Sequence, residues 1–358
     1  MGKKVLIGMS GGVDSAVAAA LLKQRGYEVT GVTLKLWEGD SDSGCCSLSD
    51  TEDARGVAQK LDIPFYVLNF KDMFRETVIE PFVRSYLQGE TPNPCLACND
   101  AIKFSGMLEK AKAIGMDFVA TGHYARLRRD PDTGRYLLMK AVDAKKDQSY
   151  VLYTLSQEQL ATALFPLGEM EKPDVRKLAR ELGFPVSDKP DSQDICFVGD
   201  GHYADFIKTY AGVESAAGNF VDLSGNILGR HRGLIHYTVG QRKHLGASFG
   251  KRRVVIAKSA GQNTITVGDE QDALAAEAWV RNANWIRWET PPAVFRAKVR
   301  TRYHGEEAEA TMETLPEGKV HISFDNPQRA LTPGQAAVFY EGDIVLGGGI
   351  LQEGQNGI

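Results

Sequence analysis

Hydrophobic and polar positions change texture quickly at the start of the chain. Val5-Leu6-Ile7 is a short apolar run, Ser10 to Asp14 is small, polar and glycine-rich, and Ala16 to Gln24 is dense in helix formers. This order predicts a buried strand, a tight loop and a helix. Gly26 can end that helix, and Tyr27 to Trp37 predicts a second strand. A βαβ start of this kind implies a parallel sheet with right-handed crossovers. Glu38 to Gly44 is acidic and Gly/Ser-rich and predicts a mobile loop. Ser49, with Glu52 three residues on, reads as a capping box opening a helix to Lys60. A third strand is expected at Pro64 to Phe70 and a further helix over Asp72 to Gln88, with Phe82, Tyr86 and Leu87 for its buried side.

Pro92 and Pro94 stand in alternate positions and argue against helix before about Ala101, from which a helical pattern runs to Ile114. Cys98 then falls near a helix N-terminus, where a thiolate is favoured. Phe118 to Tyr124 predicts a buried strand ending in a glycine turn, at the edge where ligands of open α/β sheets collect. A strand at Tyr136 to Val142 and helices at Gln157 to Leu164 and Lys172 to Leu182 complete a domain that closes on Asp191 to Phe197. Beyond it come Gly-punctuated apolar runs at Phe220 to Leu223, Ile227, Leu234 to Val239, Arg253 to Ile256 and Thr264 to Val267, a β-rich texture. Alternation is clear from about Ala278. In Arg296 to Tyr303 a period of two places Arg296, Lys298, Arg300 and Arg302 on one face, and the short strands that follow suggest a small barrel. The organisation read from this is an α/β parallel-sheet domain over 1–205, a β-rich module over 206–275 and a C-terminal β-barrel over 276–358. Trp279, Trp285 and Trp288 are read as barrel core or closure.

Composition adds compartment and partner. With 358 residues, 43% of them hydrophobic, the chain is long enough for two or three packed domains. No stretch approaches the roughly 18 apolar residues of a membrane span. Lys3-Lys4 leads straight into a strand rather than a signal peptide, so a cytoplasmic protein is expected. The formal charge of -4 conceals an uneven distribution: Arg230 to Arg253 holds seven Lys/Arg, three His and no Asp or Glu. Such a local field suits nucleic acid even on an acidic protein. The five cysteines, at 45, 46, 95, 98 and 196, are in a cytoplasmic chain more often catalytic, redox-active or metal-binding than structural disulfides. Cys45-Cys46 reads as a loop or packing pair. Cys95 and Cys98 form a C-x-x-C pair that by itself fits a redox couple, half a metal site or coincidence.

The chemistry starts at the glycine loop. A strand feeding a glycine turn and a helix start offers unpaired N–H groups and a positive dipole end around Ser10 to Ser15, an anion site. Gly11-Gly12 permits close backbone approach, and Ser10 and Ser15 add hydroxyls. The Walker pattern G-x-x-x-x-G-K-[ST] is absent from the chain, and no dinucleotide G-x-G-x-x-G stands at this loop. Asp14 is equally well explained as a helix-capping residue or a magnesium ligand.

Ser-Gly-Gly-Val-Asp-Ser at 10–15 resembles the pyrophosphate (PP) loop of the ATP pyrophosphatase superfamily, whose fold is adenine nucleotide alpha-hydrolase-like. In chain order follow Thr-Pro-Asn-Pro-Cys-x-x-Cys-Asn, Ala-Thr-Gly-His-Tyr-Ala, Lys-Asp-Gln-Ser-Tyr and Asp-Ser-Gln-Asp-Ile-Cys-Phe. Together with the loop they are similar to the tRNA-specific 2-thiouridylases over essentially the whole chain. The resemblance implies ATP with Mg2+ as cofactors, adenylation of the C2 oxygen of a wobble uridine, and sulfur delivery as a cysteine persulfide. It assigns Gly8, Met9, Ser10, Gly11, Gly12, Val13, Asp14, Ser15, Leu34 and Gly122 to ATP. By the same resemblance Cys196 would carry the persulfide and Cys98 would attack it or assist release, leaving a Cys98–Cys196 disulfide to be reduced. The resemblance also assigns Asn93, Pro94 and Cys95 to the target base, and His123, Lys146, Asp147, Gln148, Arg302, Tyr303 and Gln335 to tRNA contact. Implied partners are the anticodon loops of Lys, Glu and Gln acceptors and a sulfur donor such as a cysteine desulfurase or relay protein. Some relatives have an Asp, a candidate acid or base, where this chain has Cys95. That departure leaves open an iron-sulfur cluster on Cys95, Cys98 and Cys196. Read without the resemblance, His123 is a satisfied turn histidine and the Arg/Lys strand a solvated face. Two other functions fit the loop: another adenylating PP-loop ligase, or a non-catalytic ATP-dependent RNA-binding protein that needs neither Cys98 nor Cys196.

Overall fold

The computed structural model describes residues 2–37, 48–191, 195–198 and 203–353. The loop expected at Glu38 to Gly44, the Cys45-Cys46 pair and Ser192 to Asp194 lie outside the described residues. Two compact units form. One comprises Met1–Ile79, Pro94–Gly201 and Gly342–Val345, the other Glu80–Asn93, His202–Glu341 and Leu346–Ile358.

The first unit begins with β1 (Lys4–Gly8), α1 (Val13–Gln24), β2 (Glu28–Lys35), α2 (Leu48–Lys60) and β3 (Phe65–Asn69). Next come α3 (Lys71–Phe74) and a wider π-helical turn at Arg75–Ile79. The helical run continues as α4 (Glu80–Leu87), which is counted with the second unit. The first unit resumes with α5 (Pro94–Ala97), a π-helical stretch at Cys98–Gly106, α6 (Met107–Ala113) and β4 (Phe118–Ala120). A hairpin of β5 (Arg126–Arg129) and β6 (Tyr136–Met139), then α7 (Gln157–Thr162), β7 (Ala163–Leu164) and α8 (Lys172–Glu181), complete it.

Its sheet runs in the order β3-β2-β1-β4-β7, every pair parallel. The order reverses between β1 and β4, so the carboxyl ends of these two strands flank the crevice where open α/β sheets take ligands. Alternation along β1 divides the core. Val5 and Ile7 pack with Val13, Val17 and Ala18 of α1, while Leu6 packs with Val32, Met107 and Val119 on the other face. The alanines of α1 allow it to be buried from Ala16 to Ala20.

In the second unit α9 (Tyr203–Ala211), a helix the residue pattern did not signal, precedes β8 (Gly218–Val221), β9 (Ile227–His231), β10 (Val254–Ser259) and β11 (Thr264–Gly268). These strands form a sheet in the order β10-β11-β8-β9. Leu234–His236 is a 3-10 turn rather than part of a strand, and its Leu234 and Ile235 are buried. Strands β12 (Leu274–Trp285), β13 (Val294–Arg300), β14 (Ala308–Leu315), β15 (Lys319–Arg329), β16 (Ala336–Glu341) and β17 (Ile344–Leu351) follow the order β12-β15-β14-β13-β16-β17. Pairing of β12 with β17 closes them into a six-stranded antiparallel barrel, with Trp285 opposite Gly347 at the seam. The Trp285 ring meets Trp288, Phe295 and Phe339.

Local readings changed in several places. α2 already includes Leu48, so Ser49 lies inside the first turn instead of capping it. Pro94 opens α5 because proline at the first helical position gives up an N–H that would have no partner in any case. Cys98 therefore sits a full turn inside a helical run, and the helix-start argument applies to Cys95. β13 ends at Arg300, so Arg302 and Tyr303 lie in the turn beyond it.

Leu6 is fully buried in a central strand, whereas Val67 of the edge strand β3 is 43% exposed. Leu6→Ala is expected to cost about 3 kcal/mol in urea denaturation and Val67→Ala under about 0.5 kcal/mol.

Candidate active site

Between β1 and α1 the chain turns through Met9 to Gly12. The Met9 N–H donates to the Val32 carbonyl at 2.7 Å, and the Thr33 hydroxyl donates to the Met9 carbonyl at 2.7 Å, which ties the loop to β2. Gly11 has φ +69°, and a Cβ there would lie 2.3 Å from the Asp50 carbonyl oxygen, so glycine is required twice over. No side chain at Gly12 caps α1. The first N–H groups of that helix and its positive dipole end are thus left for an anion. Ser15 is turned inward, contrary to its expected role as a hydroxyl donor to phosphate: its Oγ accepts from the Ser10 N–H at 3.2 Å and donates to the Gly12 carbonyl at 3.1 Å. Leu34 lies half-buried in β2. After β4, Gly122 rests against the first turn of α1, where a Cβ would be 2.8 Å from the Ser15 nitrogen and 2.9 Å from the Asp14 carbonyl carbon.

Asp14 neither caps the helix nor stands open. Both of its carboxylate oxygens accept from the Lys172 ammonium at 2.7 Å, and Oδ1 accepts from the Tyr124 hydroxyl at 2.7 Å. Burial and the neighbouring Asp14 carboxylate hold the Tyr124 phenol far above its ordinary range, so it remains a donor. Lys172 also pairs with Asp191 at 2.8 Å, and Asp191 takes further bonds from Lys146 at 2.7 Å and Arg176 at 2.9 Å. Burial raises the Asp191 carboxyl, but the bonds from Lys146 and Lys172 outweigh it and bring it down to about 2. The sequence reading missed Lys172, Arg176 and Tyr124. Lys172 and Asp14 are 158 positions apart, and only folding brings α8 beside α1.

Cys95 is exposed, Cys98 is buried and Cys196 is half-buried, and none of the three is in a disulfide. Phe197, next to Cys196, packs edge-on against Phe74 of α3 with ring centroids 5.6 Å apart. The Phe70 ring presses on Gly106, at the end of the helical stretch that starts with Cys98. Phe70 and Phe74 thus touch the far end of the stretch that Cys98 opens and the residue after Cys196. Among the described residues no group of three or more His, Cys, Asp or Glu side chains is placed to hold a metal ion.

Residues 3–200 match the family model described as tRNA methyl transferase HUP domain, 204–269 its PRC-barrel domain and 276–351 an aminomethyltransferase beta-barrel domain. The tRNA-specific 2-thiouridylase MnmA of Clostridioides difficile is 52% identical over 357 residues, 99% of each chain. That of Acetivibrio thermocellus is 52% identical over 98% of this chain and 99% of its own. The chain belongs to the tRNA-specific 2-thiouridylase family. A solved U34-tRNA thiolase, NcsA of Methanococcus maripaludis with its [4Fe-4S] cluster, is similar at 19% identity over 59% of this chain and 65% of its own, with a TM-score of 0.35, too distant to argue from.

Residues that membership in this 2-thiouridylase family would bring to RNA are placed unevenly. Asn93 is half-buried, Pro94 buried and Cys95 exposed. His123 is buried, its Nδ1 2.7 Å from the Thr121 hydroxyl, and burial and then Lys103 hold it well below the usual histidine range, neutral. Asp147 is buried and accepts from the N–H groups of Ala141 and Ser149 and from the Ser149 hydroxyl. Gln148 exchanges bonds with the backbone of Tyr124, and Lys146 is committed to Asp191. In the second unit Gln335 donates to the Thr91 carbonyl, and Arg302 donates to the carbonyls of Arg329 and Ala330. Tyr303 packs on His304. The basic face of β13 is largely neutralised: Arg296 pairs with Asp325, Lys298 with Glu309 and Arg300 with Glu307. By contrast Arg230, Arg232, Lys243 and Arg252 are exposed and make no ion pair among the described residues.

Gly122→Ala is expected to destabilise the fold by about 1–3 kcal/mol and to weaken ATP binding, read by urea midpoint and nucleotide titration. Because the folded pKa of Asp191 is depressed, its stabilisation is complete above its unfolded pKa and is lost as pH falls through the folded value. The difference in urea midpoint between wild type and Asp191→Asn should therefore shrink between about pH 4 and pH 2.

Proposed function

We propose that this protein is an ATP-dependent tRNA 2-thiouridylase that replaces the C2 oxygen of the wobble uridine with sulfur. The observation that carries this reading is the sharing of one compact unit by the uncapped glycine loop at the sheet's switch point and by Cys98 and Cys196. Domain limits of 1–205, 206–275 and 276–358 are part of the proposal, as is a cytoplasmic site of action. No helix among the described residues is long and apolar enough to cross a membrane.

The C2 oxygen of uracil is a poor leaving group. It attacks the α-phosphorus of ATP, pyrophosphate departs, and the oxygen becomes part of a good leaving group, AMP. The loop from Gly8 to Ser15, with Leu34 and Gly122, would seat ATP through backbone N–H groups and a positive helix end. ATP fits the chemistry of this loop, since no side chain caps α1 at Gly12 and the first N–H groups of the helix can meet phosphate. For Mg2+, the carboxylate carried at the start of α1 is Asp14, already bonded to Lys172, so a metal binding there would have to share or displace that ammonium. Mg2+ bound with the nucleotide supplies charge neutralisation on the phosphates.

Sulfur arrives as a persulfide on Cys196, from a cysteine desulfurase or relay protein. The Cys98 thiolate attacks the Cys196 sulfur and displaces hydrosulfide, which adds at C2 and expels AMP. A Cys98–Cys196 disulfide remains for an external thiol to reduce. This route needs no iron-sulfur cluster on Cys95, Cys98 and Cys196. Asn93, Pro94 and Cys95 would border the target base. His123, Lys146, Arg302, Tyr303 and Gln335 would meet the anticodon loop, with Asp147 and Gln148 acting through the turn they hold. The exposed Arg230, Arg232, Lys243 and Arg252 give the 206–275 module phosphate contacts, and Lys, Glu and Gln tRNAs are the proposed acceptors.

Unmodified tRNA, ATP-Mg2+ and a persulfide donor should yield a uridine heavier by about 16 mass units, O replaced by S, with AMP release. Cys98→Ser and Cys196→Ser should each lose thiolation by at least about 100-fold while tRNA-dependent pyrophosphate release persists. Thiolation retained in both variants would defeat the reading. Loss of wild-type activity on iron chelation would favour a cluster over the direct route.

A further inference from the structure

Lys172 is 7% exposed, and a lysine so buried is stable only if its charge is met. It opens α8, its own N–H donating to Asp143 at 3.0 Å, and its ammonium meets three carboxylate oxygens: both of Asp14 at 2.7 Å and Oδ1 of Asp191 at 2.8 Å. Asp14 is the second residue of α1, the helix that follows the glycine loop, and Asp191 lies five positions before Cys196. The two acids are unequally served. Asp191 keeps Lys146 and Arg176 if Lys172 is lost, whereas among the described residues Lys172 is the only cation in ion-pair contact with Asp14. Arg176, one turn further along α8, also donates to the carbonyls of Ser187 and Lys189, so the chain approaching Asp191 is fixed to the same helix.

We propose that Lys172 is a positioning residue that couples Asp191 to the nucleotide loop: it neutralises Asp14 at the start of α1 and is itself held by Asp191, so that losing Lys172 or its hold on Asp191 disturbs the seat for ATP. The proposal deepens the function proposed above and rests on its placement of ATP at the 8–15 loop. Asp191 has no direct bond to the loop, so any influence it exerts on nucleotide passes through the shared ammonium. Without Lys172, the Asp14 carboxylate faces incoming polyphosphate unneutralised, and ATP binding weakens.

The test is a double-variant cycle on the full chain, read by calorimetric titration with a non-hydrolysable ATP analogue and Mg2+, which needs no turnover. Lys172→Met should raise the analogue Kd by about 10-fold or more and Asp191→Asn by about 5-fold, with Lys172→Arg close to wild type. In the Lys172→Met background Asp191→Asn should add no further loss, because its route to the loop is gone. Melting temperatures establish that the variants are folded, and Lys172→Gln takes the place of Lys172→Met in the cycle if the methionine variant is not. An Asp191→Asn Kd equal to wild type, or multiplicative losses in the double variant, would overturn the coupling. Wild-type thiolation with an unaffected Lys172→Met Kd would defeat this inference alone. Binding without wild-type thiolation would defeat the proposed function alone, and no wild-type binding would defeat both.

Discussion

Backbone against backbone, Gly122 lies on the first turn of α1, so that the carboxyl ends of β1 and β4 enclose a single crevice. Any side chain at residue 122 would enter the space of Asp14 and Ser15. The loop before α1 inherits its usefulness from this contact. It is pinned to β2 through Met9 and left without a side-chain cap at Gly12. The proposed adenylation asks for a rigid, electropositive seat for departing pyrophosphate, which backbone N–H groups at a helix start can supply without side-chain reorganisation.

Around that seat the charges are arranged in pairs rather than left open. Asp14 is held by Lys172 and Tyr124, and Asp191 by Lys172, Lys146 and Arg176. With Asp143, which accepts from the Lys172 N–H, the cluster sets three cations against three carboxylates and is close to balanced. The cysteines are managed differently. Cys98 is buried in a helical stretch whose far end, Gly106, meets Phe70, and Cys196 is half-buried beside Phe197, whose ring packs on Phe74.

The β-rich unit shows how a charge pattern misleads when read without partners. Arg296, Lys298 and Arg300 share a strand face as the alternation implies, yet neighbouring strands bring carboxylates to each. Arg242, Lys251 and Arg253 are likewise paired, with Glu270 and Asp269, which lie outside the acid-free stretch. Of the seven cations in the acid-free stretch, Arg230, Arg232, Lys243 and Arg252 stay exposed and make no ion pair among the described residues.

Much was legible from residues alone because it is local. The β1–loop–α1 unit, the parallel sheet and the closing barrel follow from periodicity, glycine placement and strand spacing, each set by neighbours a few positions away. Motif order named the family for the same reason. Helix limits near Pro94 and Ser49 went wrong because proline is tolerated at a first helical position and a capping pattern can sit one turn inside a helix. What only the tertiary structure decided were contacts between distant positions: Lys172 on Asp14, Phe197 on Phe74, Asp325 on Arg296. No local rule specifies which buried charge will meet which, since that is settled by how α8 and α1 pack and by the strong cost of leaving either charge alone.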